Sequence, residues 1–134
     1  MAHDPASDEQ LSRFMEATGL VIDHAGPTQV TGWIDLGAGQ HQPWGIVHGG
    51  VYAAAIETAA SAGASIAASE HDQIAVGVNN NTNFLRSMSE GRVTLEAKPI
   101  SQGRTQQLWE VRITDDQDRL VASGQVMLQN VTPR

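Results

Sequence analysis

A chain of 134 residues, 40% apolar and 17% charged, is long enough for one domain with a genuine core and too ordinary in composition for wholesale disorder. Its net charge of −7 argues against nucleic acid or an anionic membrane as a general partner, while leaving room for a local basic site that takes a phosphorylated ligand. With no cysteine, a disulfide framework, a thiolate nucleophile and a cysteine-based metal site are all excluded.

Residues 1–8 are polar and acidic, without the basic and apolar regions of a signal peptide. A flexible N-terminal tail and a cytoplasmic protein are expected. From Asp8, a suitable N-cap, Glu9 to Thr18 reads as a short amphipathic helix with apolar residues at 11, 14 and 15 and Gly19 as its C′ residue. Leu20 to His24 leads to a Gly26-Pro27 turn, and alternation predicts a strand over 28–36. Gly37 to Gln40 is a loop that delivers the chain to Gln42 and Pro43.

Residues 51–68 are small and mostly apolar, and alanine, the best helix former, dominates. A long helix is expected, too interrupted by Glu57 and too rich in Ala, Ser and Thr for a membrane span. Ser69 to Asp72 is a polar turn. Four strands follow over 74–85, 92–100, 105–114 and 119–130, the last two joined by a hairpin tip whose Asp115, Asp116 and Asp118 read as solvated acids. The order is a short helix, a strand, the long helix and a meander of four antiparallel strands. That is an α+β layer packing in one domain over 9–134, the helix lying across the sheet face.

The chemistry gathers at the long helix. An all-round apolar helix is usually buried, so Glu57, its one carboxylate, would be a costly buried charge unless something uses or pairs it. His48-Gly49-Gly50 stands at the helix start, where backbone N–H groups lack intrahelical acceptors and carry the positive end of the dipole. Two glycines allow close approach, so this end can polarise a carbonyl and hold the oxyanion formed when it is attacked. Gln42 can add an amide donor or help place His48.

Nine positions separate His48 from Glu57, about 13.5 Å of rise and two and a half turns, so the two point to opposite sides of one helix. Two helices packed antiparallel across a two-fold axis would bring one protomer's helix start to its partner's Glu57. Ser61, one turn beyond Glu57, can hydrogen-bond the carboxylate or an attacking water. Each feature alone has a plainer reading: a turn histidine, a loop glycine pair, a half-exposed or ion-paired glutamate. Their joint spacing favours the functional one.

Other candidates are weaker. Gly37-Ala38-Gly39 lacks the rest of a dinucleotide fingerprint, the histidines lack metal-ligand spacing, and no serine sits in a nucleophile elbow. Asn79 to Asn83 reads as an edge strand with solvated amides, ligand contact being the alternative.

The set Gln42-Pro43-x-Gly45-x-x-His48-Gly49-Gly50, with Glu57 and Ser61, resembles the hotdog-fold acyl-CoA thioesterases, most closely the bacterial aromatic type acting on 4-hydroxybenzoyl-CoA or 1,4-dihydroxy-2-naphthoyl-CoA. The likeness runs on through Val76-Gly77-Val78, Asn83 to Ser87, Glu90 to Val93 and Gln107 to Trp109. It implies a long central helix wrapped by a curved antiparallel sheet, in a homodimer with shared active sites or a homotetramer, and no cofactor.

Carried over by residue, the resemblance makes Glu57 the catalytic carboxylate, as base for water or as nucleophile. It gives the Gly49 amide the thioester carbonyl, with Gln42, His48 and Ser61 in support. Gly77, Phe84, Leu85, Arg86, Ser87, Gly103, Arg104 and Thr105 fall to substrate and coenzyme A contact, the two arginines as phosphate partners. Phe84 departs from the family, whose members often carry a polar ring there. A non-catalytic acyl-CoA or acyl-carrier-protein binding module is the alternative function; a hydratase would need an Asp/His arrangement that is not found here.

Overall fold

The computed structural model describes residues 9–134, with side chains from Arg13 onward. The expected tail over 1–8, and Asp8 as a cap, lie outside the described residues. Helix α1 (Glu9–Thr18) is followed by strands β1 (Leu20–Gly26) and β2 (Gln29–Leu36), helix α2 (Gly49–Ser69), and strands β3 (Ile74–Phe84), β4 (Gly91–Gln102), β5 (Gln106–Thr114) and β6 (Leu120–Val131).

Gly19 closes α1 as expected: at φ +77° it takes the left-handed conformation, and its N–H donates to the Met15 carbonyl at 3.2 Å and that of Glu16 at 3.0 Å. Of the apolar stripe of α1, Phe14 and Met15 stay exposed in the protomer. Strand β1 was not expected as a strand. A bulge between Ile22 and His24 puts an extra residue, Asp23, into β1 and breaks the alternation that would have marked it.

The six strands form one antiparallel sheet in the order β1-β2-β4-β5-β6-β3. Only β4, β5 and β6 make a meander, which corrects the expected four-strand run. β3 pairs with β6 and stands at the sheet edge. On leaving β3, the backbone N–H groups of Leu85 and Arg86 donate to the Val121 carbonyl, and Val47 N–H donates to Met88 O. The connection thus crosses past the start of α2 to reach β4 on the far side.

Helix α2 touches all six strands. Six strands span roughly 24 Å at 4.8 Å each, whereas a helix is roughly 10–12 Å across, so the sheet has to curve around α2. One face of the helix is buried against it, from Tyr52 through Ile56, Ala60 and Ala64 to Ala68. Trp109, fully buried, occupies the space left by Gly63, where a β-carbon would fall 2.4 Å from Cη2 of the indole. The Trp109 indole N–H donates to Gln107 Oε1 at 2.9 Å, and Gln107 Nε2 donates to Ala64 O at 2.9 Å, which ties β5 to the helix backbone.

The opposite face of α2 is not buried in the protomer. Ala53, Ala54, Thr58 and Ala62 are half-buried and Glu57 and Ile66 are exposed, so the expected burial of Glu57 is not found within one chain. One sheet can wrap only one side of a helix whose sequence is apolar all round. By length and composition α2 could cross a membrane, but here it is the central helix of the fold. Beside it, the open edge of β3 carries a row of exposed apolar residues, Ile74, Val76 and Val78.

Asp115 also departs from expectation: it is buried, while Asp116 and Asp118 are exposed. Its carboxylate accepts the backbone N–H groups of Gln117 and Arg119, each at 2.9 Å, and Arg119 Nε–H at 2.7 Å. Burial works to raise its pKa, but the hydrogen bonds from Arg119 and Gln117, with the Arg119 charge, hold it below the ordinary value.

Candidate active site

The approach to α2 is a tight loop. Gln42 N–H donates to Ile46 O at 2.8 Å, Gly45 turns the chain at φ +83°, and His48 N–H donates to Gln40 O at 2.8 Å. The Gln42 side-chain oxygen accepts the Trp44 N–H, which leaves the Gln42 amide nitrogen as its free donor. His48 is the N-cap of α2. Its Nδ1 accepts the Gly50 N–H at 2.7 Å, so the ring proton sits on Nε2, and its carbonyl accepts the Val51 N–H at 3.0 Å.

This cap separates two glycines that look equivalent in the sequence. Gly50 spends its N–H on His48. Gly49 N–H has no acceptor among the described residues and lies at the positive helix end. Gly49 lines a cleft of about 270 Å³ together with Gln42, Ile46, Val47, Tyr52 and Phe84 to Met88. Gln42, Gly49, Phe84, Leu85, Arg86 and Ser87 therefore come together. His48 lines a different groove, beside Phe14, Thr18, His41 and Gly50. The cleft falls just below the usual range of ligand pockets, roughly 300–1,000 Å³.

Tyr52 forms part of the cleft wall. It is 3% exposed, and its hydroxyl has no hydrogen-bond partner among the described residues. Burial pushes its pKa up to about 12. Nearby, Trp44 is largely exposed and Ile56 is wholly buried in the core.

Glu57 lies elsewhere on the helix, eight positions and about 12 Å of rise beyond Gly49. It faces β3. Its carboxylate rests against Gly77, with Cδ and Oε2 3.6 Å from where a Gly77 β-carbon would stand. Oε1 accepts from Asn80 Nδ2 at 3.3 Å, and the same Asn80 nitrogen donates to Ala53 O at 3.0 Å. Ser61 is half-buried one turn further on and makes no hydrogen bond to Glu57 among the described residues.

Asn80 escaped the sequence reading. The asparagine run was visible, but a bulge between Gly77 and Asn79 shifts the alternation of β3, and that shift turns Asn80 toward the helix. No local signal in the sequence marks where the bulge falls.

Gly103 and Arg104 line a separate cleft at the far end of α2, with Ala67, Glu70, His71 and Asn130. Asn130 holds this turn, since its Nδ2 donates to Gly103 O and Arg104 O and its backbone N–H to Thr105 O. With 21 residues in α2, roughly 30 Å of helix separates this end from the Gly49 cleft. One protomer therefore cannot bring Arg86 and Arg104 to the same phosphate.

The profile of the thioesterase superfamily matches residues 45–122. The Mycobacterium tuberculosis protein Rv1847 is 47% identical over 123 residues, covering 90% of this chain and 88% of its own. Its solved structure superposes with a TM-score of 0.87 over 91% of this chain and 98% of that one. The Escherichia coli 1,4-dihydroxy-2-naphthoyl-CoA hydrolase is 32% identical over 105 residues, 78% of this chain and 76% of its own. The thioesterase HI1161 of Haemophilus influenzae, 28% identical, superposes with a TM-score of 0.82 over 98% of this chain and 92% of that one.

Proposed function

Because the chain belongs to the thioesterase superfamily and has its hotdog fold, we propose that it hydrolyses an aromatic or otherwise bulky acyl-CoA to the free acid and coenzyme A. In this reading it is a cytoplasmic homodimer, or a homotetramer built from two such dimers, working without a cofactor. One observation carries it. The free Gly49 N–H opens on a cleft with the Gln42 amide, while the one carboxylate of α2 stands exposed about 12 Å along the helix. Neither half serves the other within a protomer. Antiparallel packing of two α2 helices brings each Gly49 to the partner's Glu57.

The steps follow from these groups. Gly49 N–H, strengthened by the helix dipole, and the Gln42 amide polarise the thioester carbonyl and stabilise its oxyanion. Glu57 of the partner subunit removes a proton from water as the water oxygen bonds to the carbonyl carbon. The C–S bond then breaks, and sulfur leaves as a thiolate that takes up that proton. Attack by the carboxylate itself gives the same products through a mixed anhydride that water opens at the Glu57 side-chain carbonyl carbon. A single turnover in oxygen-18 water separates the routes, since only the second leaves label in the Glu57 carboxylate.

Arg86 beside the cleft, with Leu85 and Ser87, suits the coenzyme A moiety; Arg104 of the partner subunit supplies a second guanidinium for its phosphates. The apolar rim of Ile46, Phe84 and Leu85 favours a bulky acyl group, in keeping with relatives in Escherichia coli and Listeria monocytogenes named 1,4-dihydroxy-2-naphthoyl-CoA hydrolase.

The test is thiol release across aromatic, short-chain and long-chain CoA esters, for the wild type and Glu57→Ala. Turnover that peaks with aromatic esters and falls to a small residual rate in a folded Glu57→Ala variant is expected. Tight acyl-CoA binding without thiol release would overturn the reading in favour of a binding module. Unchanged turnover in Glu57→Ala would remove that residue from the chemistry.

A further inference from the structure

We propose that Asn80 is a positioning residue that fixes the carboxylate of Glu57, and that it is itself aimed by Thr82. The inference rests on the reading of Glu57 as the catalytic carboxylate. An exposed glutamate on a helix samples several rotamers, and a base or nucleophile that wanders by an ångström loses about a hundredfold in rate. Here no cation restrains it among the described residues. A neutral amide does.

The amide has one workable orientation. Thr82 Oγ1 donates to Asn80 Oδ1 at 2.6 Å, which leaves the two Nδ2 protons for Ala53 O at 3.0 Å and Glu57 Oε1 at 3.3 Å. Flipped, the amide would set its oxygen against two acceptors. Ala53 and Glu57 are one turn apart on α2, so a single amide clamps one helical turn to the edge strand. On its other side the carboxylate faces the space that the absent Gly77 side chain leaves open, and Oε2 is left without a hydrogen bond among the described residues.

Two further features serve the same aim. The bulge between Gly77 and Asn79 turns Asn80, and with it Thr82, toward α2. On the neighbouring strand, Gly124 leaves room for the threonine, because a β-carbon there would sit 2.7 Å from Thr82 Oγ1. A bulge, a glycine and a hydroxyl all converge on the direction in which one amide points.

Steady-state thiol release with an aromatic CoA ester tests this, using Asn80→Ala, Asn80→Asp and each change in a Glu57→Ala background. Asn80→Asp keeps the side chain's shape and its acceptor for Thr82 but has no donor for Glu57. Both single changes are expected to lower kcat about 10- to 100-fold with KM within about twofold, a split that a merely structural residue would not give. In the Glu57→Ala background the residual rate is expected to be insensitive to either change. Wild-type kcat in Asn80→Asp, or an equal loss with and without Glu57, would overturn the inference while leaving the role of Glu57 intact. Full activity in Glu57→Ala alone would instead overturn the reading on which it rests.

Discussion

Phe84 covers Gly49: a β-carbon built on Gly49 would stand 2.8 Å from both Cε2 and Cζ of the ring. The ring also lies 6.3 Å from Tyr52, centroid to centroid, and is itself 56% exposed. It therefore packs against the α-carbon of Gly49 at the helix start while keeping freedom to move. A methyl group at Gly49 would push it into the cleft without removing the N–H. Gly49→Ala is expected to lower kcat/KM at least about tenfold, and Phe84→Ala added to it should cost less than the two changes apart, because the clash is then gone. Strict additivity in this double-mutant cycle would contradict the contact.

Tyr52 is the one tyrosine of the chain, so phenolate absorbance reports on it alone. Burial raises its pKa from 10.0 to about 12, which means the folded state holds the phenol proton more tightly than the unfolded chain does. The stability linked to this is whole below pH 10 and is lost as the pH rises toward 12. An ultraviolet titration should show a midpoint near 12 in the folded protein and near 10 in denaturant. Tyr52→Phe removes a buried hydroxyl that has no partner among the described residues, and is expected to leave stability unchanged or raise it by about 1 kcal/mol in urea unfolding.

Gly63 inverts the usual helix rule. Replacing an interior helix glycine by alanine ordinarily stabilises by about 1 kcal/mol. Here the added carbon meets the buried indole of Trp109, whose N–H is committed to Gln107. Gly63→Ala is expected to destabilise by about 1–3 kcal/mol in chemical denaturation.

Asp115 carries a pH-dependent share of stability. Its folded-state pKa lies below the ordinary 3.8, so its contribution is present above that value and is lost as the pH falls through the lowered one. Asp115→Asn keeps the size but loses the charge that faces the Arg119 guanidinium. Its urea midpoint should fall below that of the wild type at neutral pH, and the gap should close in acid. A gap independent of pH would contradict the role assigned to the charge.

What was legible in the sequence was set by local rules, and what was not depended on pairing at a distance. Alanine content declared α2, Gly19 declared the end of α1, and the alternation of 92–100 and 105–114 declared β4 and β5. Two of the hidden features are bulges, at Asp23 and beside Val78, because an extra residue disturbs the very alternation by which strands are read. The return of β3 to β6 was hidden for another reason: adjacent strands in sequence suggest a meander, and nothing local in residues 85–90 announces a crossing. At the site, His48-Gly49-Gly50 was visible as a motif. That His48 consumes the Gly50 N–H and leaves Gly49 free emerges only from the cap geometry. Glu57 stands out in the sequence as a misfit in an apolar helix, but composition alone does not say how much of a helix one sheet can wrap, and so does not say whether Glu57 is buried.

In the proposed dimer each active site takes its amide from one protomer and its carboxylate from the partner, and subunit mixing decides whether it does. Glu57→Ala chains and Gly49→Val chains, each nearly inactive alone, are unfolded together, refolded at equal concentration and assayed for thiol release. In a mixed dimer one site regains both native groups and the other has neither, so statistical mixing should restore about a quarter of wild-type activity. A mixture no more active than its parents, with mixed dimers shown to have formed, would contradict the shared site.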